Sequence, residues 1–117
     1  MLEIYGIPNC DSVKRARAWL DQAGVSYRFH DFKKLGISTD QLRAWEQAVG
    51  WHKLLNRQGT TWRKLDPTVQ ASVIDASSAC ALMQKHPSLI KRPVVQWADR
   101  LTVGFDASSF QAGQRGG

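Results

Sequence analysis

The sequence predicts an α/β fold built from a β-α-β unit, a block of helices, and a β-hairpin followed by a last helix. Three observations carry this prediction. Strand-like runs flank a helical pattern within the first 31 residues. Helical patterns without strand signals fill the middle of the chain. A Val-rich run behind a proline then precedes a tight turn and a second apolar run, which is typical of a hairpin.

The first predicted strand covers residues 2–5 and ends at Gly6 and Pro8, because these residue types interrupt regular structure. A helical pattern follows at once. Its apolar residues recur on one face, namely Val13, Ala16, Leu20 and Ala23. Either Asp11 or Ser12 is expected to cap this helix at its N-terminus.

Apolar and polar residues alternate again over residues 25–30, which predicts a second strand. Residues 2–31 therefore form a β-α-β unit. Its two strands are expected to be parallel, with a right-handed crossover through the helix.

In the middle of the chain, hydroxyl and carboxylate side chains indicate where helices begin. The predicted starts are Ser38, Asp66 and either Ser77 or Ser78. Ser38 forms a capping box with Gln41, and Asp66 stands directly before Pro67. The helix after Asp66 is expected to run to about residue 75.

The runs KRPVVQW and LTVGF are predicted to pair as a hairpin across the turn ADR. A β-α-β unit followed by a β-β-α unit is the thioredoxin topology, and the helical block lies where the two halves join. We therefore predict one thioredoxin-like domain over residues 1–117, with a core of about 1–35 and 88–117 and an all-helical insert of about 36–87. That fold carries a cis peptide bond before its third strand, which makes Pro93 the expected cis-proline.

Composition describes an ordinary globular chain with a positive surface. Its net charge is +6, and 43% of its residues are hydrophobic and 22% charged. Scattered positive charge suits small anionic partners. Nucleic acid is a weaker expectation, because the sequence contains no zinc-finger spacing, no RNP-like motif and no long basic run.

The sequence favours a cytoplasmic protein without a membrane partner. Its N-terminal run has no basic and apolar regions of a secretory signal, and no stretch approaches the roughly 18 apolar residues of a membrane helix. Two cysteines do not make a disulfide framework in a chain of this length. His30, His52 and His86 lack the spacing of metal ligands, so we predict no metal site.

Cys10 stands at the turn between the first strand and the first helix, where two interpretations compete. A turn cysteine is often a small buried residue without reactivity. The N-terminus of a helix, however, presents unpaired N–H groups and a partial positive charge, and Lys14 adds a full charge. These features stabilise a thiolate, and ligands of β-α-β sheets bind at this edge. We therefore predict that Cys10 is a catalytic nucleophile.

Position 13 is Val, so Cys10 has no resolving cysteine in a C-x-x-C motif. Cys80 is predicted to pack within a helix. A mechanism with one cysteine then requires an external thiol, and glutathione, with two carboxylates, is the expected co-substrate. We predict no tightly bound cofactor.

In addition to Pro93, five residues are predicted to bind the substrate or glutathione, or to stabilise the Cys10 thiolate. Asn9 and Ser12 are hydrogen-bond donors next to Cys10, and each is equally a turn or cap residue. Arg92 precedes the expected cis-proline and can bind an anion with two parallel hydrogen bonds. The other two are Lys14 and, in the insert, Arg57, with Arg63 as the alternative insert arginine that could reach the site.

The runs YGIPNCDSVKRARAWL, GTTWRKLD and LIKRPVV resemble the arsenate reductase (ArsC)–Spx family, most closely its YffB-like branch. The resemblance implies a catalytic Cys10 and an oxyanion-binding Arg92 beside a cis Pro93. It also implies an arginine after LL in the insert, where this chain has Asn56 followed by Arg57. Arsenate reductases of the family have a further arginine in the last hairpin, where this chain has Gly104.

The sequence therefore predicts a glutathione-dependent thiol/disulfide reductase that acts on a disulfide, a glutathionylated substrate or a small oxyanion. One alternative is an arsenate reductase coupled to glutathione and glutaredoxin. A second alternative, implied by the resemblance, is a non-enzymatic Spx-like transcriptional adaptor that binds RNA polymerase.

Overall fold

The computed structural model describes residues 2–116, with side chains described as far as Gln114. Residues 1 and 117 of the predicted domain lie outside this range. The strands are β1 (Leu2–Gly6), β2 (Tyr27–Asp31), β3 (Val94–Gln96) and β4 (Leu101–Val103). The helices are α1 (Asp11–Gln22), α2 (Phe32–Leu35), α3 (Thr39–Val49), α4 (Trp51–Leu54), α5 (Thr60–Arg63), α6 (Pro67–Ala71), α7 (Ala76–Lys85) and α8 (Ala107–Gly116), with a 3₁₀ turn at Pro87–Leu89.

The strands form one sheet in the order β2-β1-β3-β4. β1 and β2 are parallel, with Leu2 opposite Tyr27, whereas β3 pairs antiparallel with both β1 and β4. The predicted α/β fold, a β-α-β half and a β-hairpin-α half separated by helices, is therefore confirmed. Among the described helices, none has the length and apolarity needed to cross a membrane.

Tertiary contacts divide the chain into two compact units. Unit 1 extends as far as Leu35 and resumes at Arg92, whereas unit 2 is Gly36–Lys91. The second segment of unit 1 begins a few residues later than the predicted residue 88. The reason is that Lys91 N donates to Leu54 O at 2.7 Å, which ties this segment to unit 2.

The core of unit 1 lies between the sheet and the two long helices α1 and α8. Its fully buried residues are Ile4, Ala16, Leu20, Val95 and Phe110, with Trp97 at 3% exposure. The indole Nε1 of Trp97 donates to Thr102 Oγ1 at 2.9 Å, so burial leaves this polar atom paired. The predicted apolar face of α1 is thus the face that packs on the sheet.

A substitution at Gly113 tests how tightly α8 packs in this core. A Cβ added there would lie 2.5 Å from Trp97 Cδ2, and the indole is enclosed. We expect Gly113→Ala to lower the free energy of unfolding by about 1–3 kcal/mol through overpacking, less the roughly 1 kcal/mol that alanine gains in a helix. Urea unfolding measures the change, and a stability higher than that of the wild type would contradict the packing.

Unit 2 contains helices α3 to α7 and the 3₁₀ turn. Its buried apolar residues are Leu42, Trp45, Leu54, Leu55, Ala79, Met83, Leu89 and Ile90. Ser38 caps α3 by accepting a hydrogen bond from Gln41 N at 3.1 Å, and Asp66 accepts one from Thr68 N at 3.2 Å. Both caps were predicted from the sequence.

The start of α7 and the end of α6 differ from the prediction. Asp75, rather than Ser77 or Ser78, is the N-cap of α7, and Ser78 completes a capping box with it. The helix expected to reach residue 75 ends at Ala71. The hydroxyl of Ser72 donates to the Val69 carbonyl at 2.5 Å, which offers the backbone an alternative to another helical turn.

Candidate active site

Cys10 is the N-cap residue of α1, so the expectation that Asp11 or Ser12 caps this helix was wrong. Its backbone is extended, with φ −141° and ψ 126°, and its carbonyl accepts a hydrogen bond from Lys14 N at 2.9 Å. The N-cap side chain occupies the position from which an acceptor reaches the free N–H groups of the first turn. The half-exposed thiol therefore lies at the positive end of the helix dipole, and its side chain forms no capping hydrogen bond with the first turn.

A tight approach between β1 and α1 fixes this position. A Cβ added at Gly6 would lie 2.7 Å from Val13 Cγ2, so only glycine lets the strand end this close to the helix. Val13 is fully buried. Val13, which stands where a C-x-x-C motif would have its second cysteine, thus anchors the first turn of α1 next to Cys10.

The side chains of Lys14 and Asn9 meet beside Cys10. Lys14 Nζ donates to Asn9 Oδ1 at 3.4 Å, and this contact directs the ammonium toward the residue before the cysteine. Within residues 2–116, no hydrogen bond links Asn9 or Ser12 to the Cys10 thiol. Asp11 is the first residue of α1, and its negative charge opposes the attraction that the Lys14 ammonium has for an anion at the start of the helix.

The peptide bond between Arg92 and Pro93 is cis, as the sequence predicted. β3 begins at the next residue, Val94, which pairs with Tyr5 near the end of β1. This register places the Arg92–Pro93 turn next to the C-terminal end of β1, from which the chain continues toward Cys10. The half-buried Arg92 and the thiol therefore belong to the same edge of unit 1.

Gly104 fixes the other side of this turn. Its N–H donates to the Pro93 carbonyl at 2.8 Å, and its φ is +86°. An L side chain rarely adopts this conformation. The position at which the family resemblance implies a third arginine thus favours glycine in this chain.

Cys80 is partly exposed, whereas the sequence predicted a buried helix-packing residue. It lines a groove of about 420 Å³ between α3 and α7, together with Arg43 and Glu46. Burial raises the pKa of the Cys80 thiol and Glu46 raises it further, while Arg43 lowers it. The neutral thiol is therefore the favoured form at Cys80.

This shift predicts slow alkylation of Cys80 at neutral pH. In a Cys10→Ser variant, Cys80 is the only thiol of the chain. We expect its reaction with iodoacetamide to rise at higher pH than that of a free cysteine peptide, because the thiolate is the reactive form and burial disfavours it. Alkylation rates are measured from pH 6 to pH 10, because this range brackets the pKa of about 8.5 of a free cysteine thiol. A profile at or below that of the peptide would contradict the assignment.

Arg57 lies in unit 2 and is exposed. Its guanidinium Cζ is 5.3 Å from the ring centroid of Trp51 and 5.8 Å from that of Trp62. Sequence reasoning missed both tryptophans. The available signal was a tryptophan before and after an arginine in a stretch without carboxylates.

In the described part of the chain, no group of three or more His, Cys, Asp or Glu side chains is arranged to hold a metal ion. The residues that unit 1 brings to one edge are Asn9, Cys10, Ser12, Lys14, Arg92 and Pro93.

Comparisons with known proteins agree on one family. The model of the ArsC family matches residues 5–112. The solved structure of the YffB (PA3664) protein superposes with a TM-score of 0.92 at 45% identity, covering 97% of this chain and 98% of that one. An arsenate reductase (ArsC) related protein from Brucella melitensis has a TM-score of 0.75 at 46% identity, with 95% and 92% covered. The global transcriptional regulator Spx of Streptococcus mutans is 26% identical over 96% of this chain and 82% of its own length.

Proposed function

The chain belongs to the ArsC family, and from that premise we propose that it is a glutathione-dependent thiol reductase with Cys10 as its nucleophile. The observation that carries the proposal is the position of Cys10 at the N-cap of a twelve-residue helix, with Lys14 beside it and no cysteine at position 13. A solitary thiolate can begin thiol–disulfide exchange but needs a second thiol to complete it.

The reaction has two exchange steps. The Cys10 thiolate attacks the glutathionyl sulfur of a mixed disulfide, forms a Cys10–glutathione disulfide and releases the substrate as a thiolate, which takes up a proton. The thiolate of a second glutathione then attacks the glutathionyl sulfur on Cys10. This step forms oxidised glutathione and regenerates the Cys10 thiolate. In each step one disulfide bond breaks and one forms, so overall the substrate sulfur is reduced to a thiol while the sulfur of the incoming glutathione is oxidised to a disulfide.

Arg92 supports binding of an anionic co-substrate at the same edge. A guanidinium can donate two parallel hydrogen bonds to a carboxylate, and glutathione carries two carboxylates. The cytoplasm, where glutathione is abundant, is the proposed location. No tightly bound cofactor enters either step.

The test of the proposal is the reaction of the reduced protein with oxidised glutathione. We expect one glutathionyl group on Cys10 and none on Cys80, since burial raises the pKa of the Cys80 thiol. Peptide mass mapping after digestion locates the adduct, and added glutathione should remove it. Modification of Cys80 with Cys10 unmodified would overturn the proposal.

Arsenate reduction is the related alternative, which the similarity to the arsenate reductase-related protein of Brucella melitensis favours. Gly104 stands against it, because its φ of +86° disfavours the arginine that the resemblance implies in arsenate reductases. Turnover of arsenate with glutathione and glutaredoxin, lost in Cys10→Ser, would support the alternative.

The similarity to Spx favours a second alternative, a transcriptional adaptor that binds RNA polymerase. Purified polymerase discriminates between the functions. Equal binding by the wild-type protein and by Cys10→Ser, with no glutathionylation of Cys10, would support the adaptor. Absence of binding together with a glutathionylated Cys10 would support the enzyme.

A further inference from the structure

The loop between β4 and α8, residues 104–106, contacts the turn that precedes β3. Gly104 N donates to the Pro93 carbonyl at 2.8 Å. This hydrogen bond links the loop to the Arg92–Pro93 turn, which carries the guanidinium assigned above to the anionic co-substrate. Contacts that fix the position of Gly104 therefore also help to fix the position of this turn.

Phe105 attaches this loop to two helices. Its ring meets the ring of Phe110 in α8 edge-on, with centroids 4.9 Å apart. The guanidinium Cζ of Arg15 in α1 lies 5.9 Å from the Phe105 centroid, within the range of about 6 Å for cation–π attraction. Phe110 is fully buried and Arg15 is exposed, so Phe105 contacts the core of unit 1 through one helix and its surface through the other.

Arg15 belongs to the helix that carries Cys10. Cys10 is the N-cap of α1, and Arg15 lies five residues later, in the second turn of this twelve-residue helix. The contact between Arg15 and Phe105 therefore joins the N-terminal half of α1 to the loop that holds Pro93. All of these residues lie in unit 1.

We propose that Phe105 and Arg15 are positioning residues for the exchange reaction, because they hold the Arg92–Pro93 turn in place relative to Cys10. The inference rests on the proposed function, which supplies that reaction. A disulfide substrate must meet both the thiol and the turn, whereas a small electrophile needs the thiol alone. A misplacement of about 1 Å can slow an oriented reaction by roughly a hundredfold, so even a small movement of the turn is measurable.

Amide hydrogen exchange at Gly104, followed by NMR, tests the contact without any substrate. We expect Arg15→Gln to accelerate exchange of the Gly104 N–H about threefold, as loss of an exposed cation–π contact should. The amide of Val95, in the central strand β3, is the internal reference and should not change. Unchanged exchange at Gly104, or equal acceleration at Gly104 and Val95, would contradict a local role of Arg15.

Arg17 provides a matched control on the same helix. Its guanidinium lies 4.4 Å from the centroid of Phe29, so Arg17→Gln also removes a positive charge and a cation–π contact from α1. That contact is with β2 and not with the loop that holds Pro93. We expect Arg15→Gln to slow the reaction of Cys10 with oxidised glutathione about threefold and Arg17→Gln to leave it unchanged. Equal slowing would assign the effect to the charge of the helix and overturn the proposal.

Arg15 and Phe105 should act as one unit in this reaction. Arg15→Lys should recover most of the rate, because a ring also attracts an ammonium. Phe105→Leu keeps an apolar side chain next to Phe110 but lacks the ring, so it should slow the reaction at least as much as Arg15→Gln. The variant with both Arg15→Gln and Phe105→Leu should then be no slower than Phe105→Leu alone. Additive losses would contradict the shared role.

Alkylation by iodoacetamide separates positioning from the reactivity of the thiol. Measured in a Cys80→Ser background, the rate at Cys10 should be the same with and without Arg15→Gln or Phe105→Leu. Circular dichroism spectra that match the wild type exclude unfolding in each variant. A parallel loss of rate with iodoacetamide and with oxidised glutathione would mean that the substitutions change the thiol itself, and would overturn the proposal.

The proposed function can fail separately. If Gly104 exchange responds to Arg15→Gln as expected but oxidised glutathione leaves Cys10 unmodified, the contact holds the loop and the reductase fails. If Cys10 is glutathionylated at one rate in the wild type, Arg15→Gln and Phe105→Leu, the reductase stands and the positioning role fails.

Discussion

Replacing Cys10 by serine is expected to reduce the turnover of a glutathionylated peptide by about a thousandfold or more, because removal of a catalytic nucleophile eliminates the covalent step. A serine hydroxyl at the N-cap of α1 can accept a backbone hydrogen bond from the first turn but does not form a disulfide. The helix should therefore remain intact while the chemistry is lost. Oxidation of glutathione, followed through glutathione reductase and NADPH, measures the rate.

Cys80→Ser is the matched control for this prediction. Cys80 lies in unit 2, and burial raises the pKa of its thiol, so its removal should leave turnover within about twofold of the wild type. Two results would contradict the assignment of the nucleophile. One is turnover in Cys10→Ser that falls by far less than a thousandfold, and the other is loss of turnover in Cys80→Ser.

Replacing Phe110 by alanine is expected to lower the free energy of unfolding by about 3–5 kcal/mol. Phe110 is fully buried, and its ring meets those of Trp19, Trp97 and Phe105 edge-on, with centroids 5.6, 5.2 and 4.9 Å apart. Each such pair contributes roughly 0.5–1.5 kcal/mol beyond the burial of area. The loss is large compared with the 5–15 kcal/mol of stability of a typical domain.

Urea unfolding, followed by circular dichroism, measures this loss. Phe110→Leu should cost less, because it keeps most of the buried volume. Leu35→Ala, at a side chain that is 75% exposed, should change stability by no more than about 0.5 kcal/mol. A loss below about 1 kcal/mol in Phe110→Ala would mean that the aromatic cluster is not a principal part of the core of unit 1.

The fold could be predicted from local signals, and its differences from the prediction also have local causes. Ser38 and Asp66 cap helices as expected, because their short polar side chains bond to N–H groups two or three residues away. At α1 the same rule pointed to Asp11 or Ser12. There the packing of Gly6 against Val13 determines where the first turn begins, and such a contact between elements is invisible in residue preferences.

The candidate site shows the same distinction between what local sequence signals predict and what contacts between elements determine. Cys10, Lys14 and Arg92 could be placed from sequence, because strand order and the cis-proline signal bring the two turns to one edge of the sheet. The contacts of Trp51 and Trp62 with Arg57 could not be predicted. These two residues are eleven positions apart, in the helices α4 and α5 on either side of the loop around Asn56.

Gly104 constrains how this chain can diverge in evolution. A mutation to arginine would place a side chain on a backbone with φ +86°, at a cost of about 1–3 kcal/mol before any anion is bound. It would also disturb the N–H that holds the Pro93 carbonyl. A lineage that starts from this hairpin therefore reaches an arginine at position 104 at a lower cost in stability after a change of the turn that removes the positive φ.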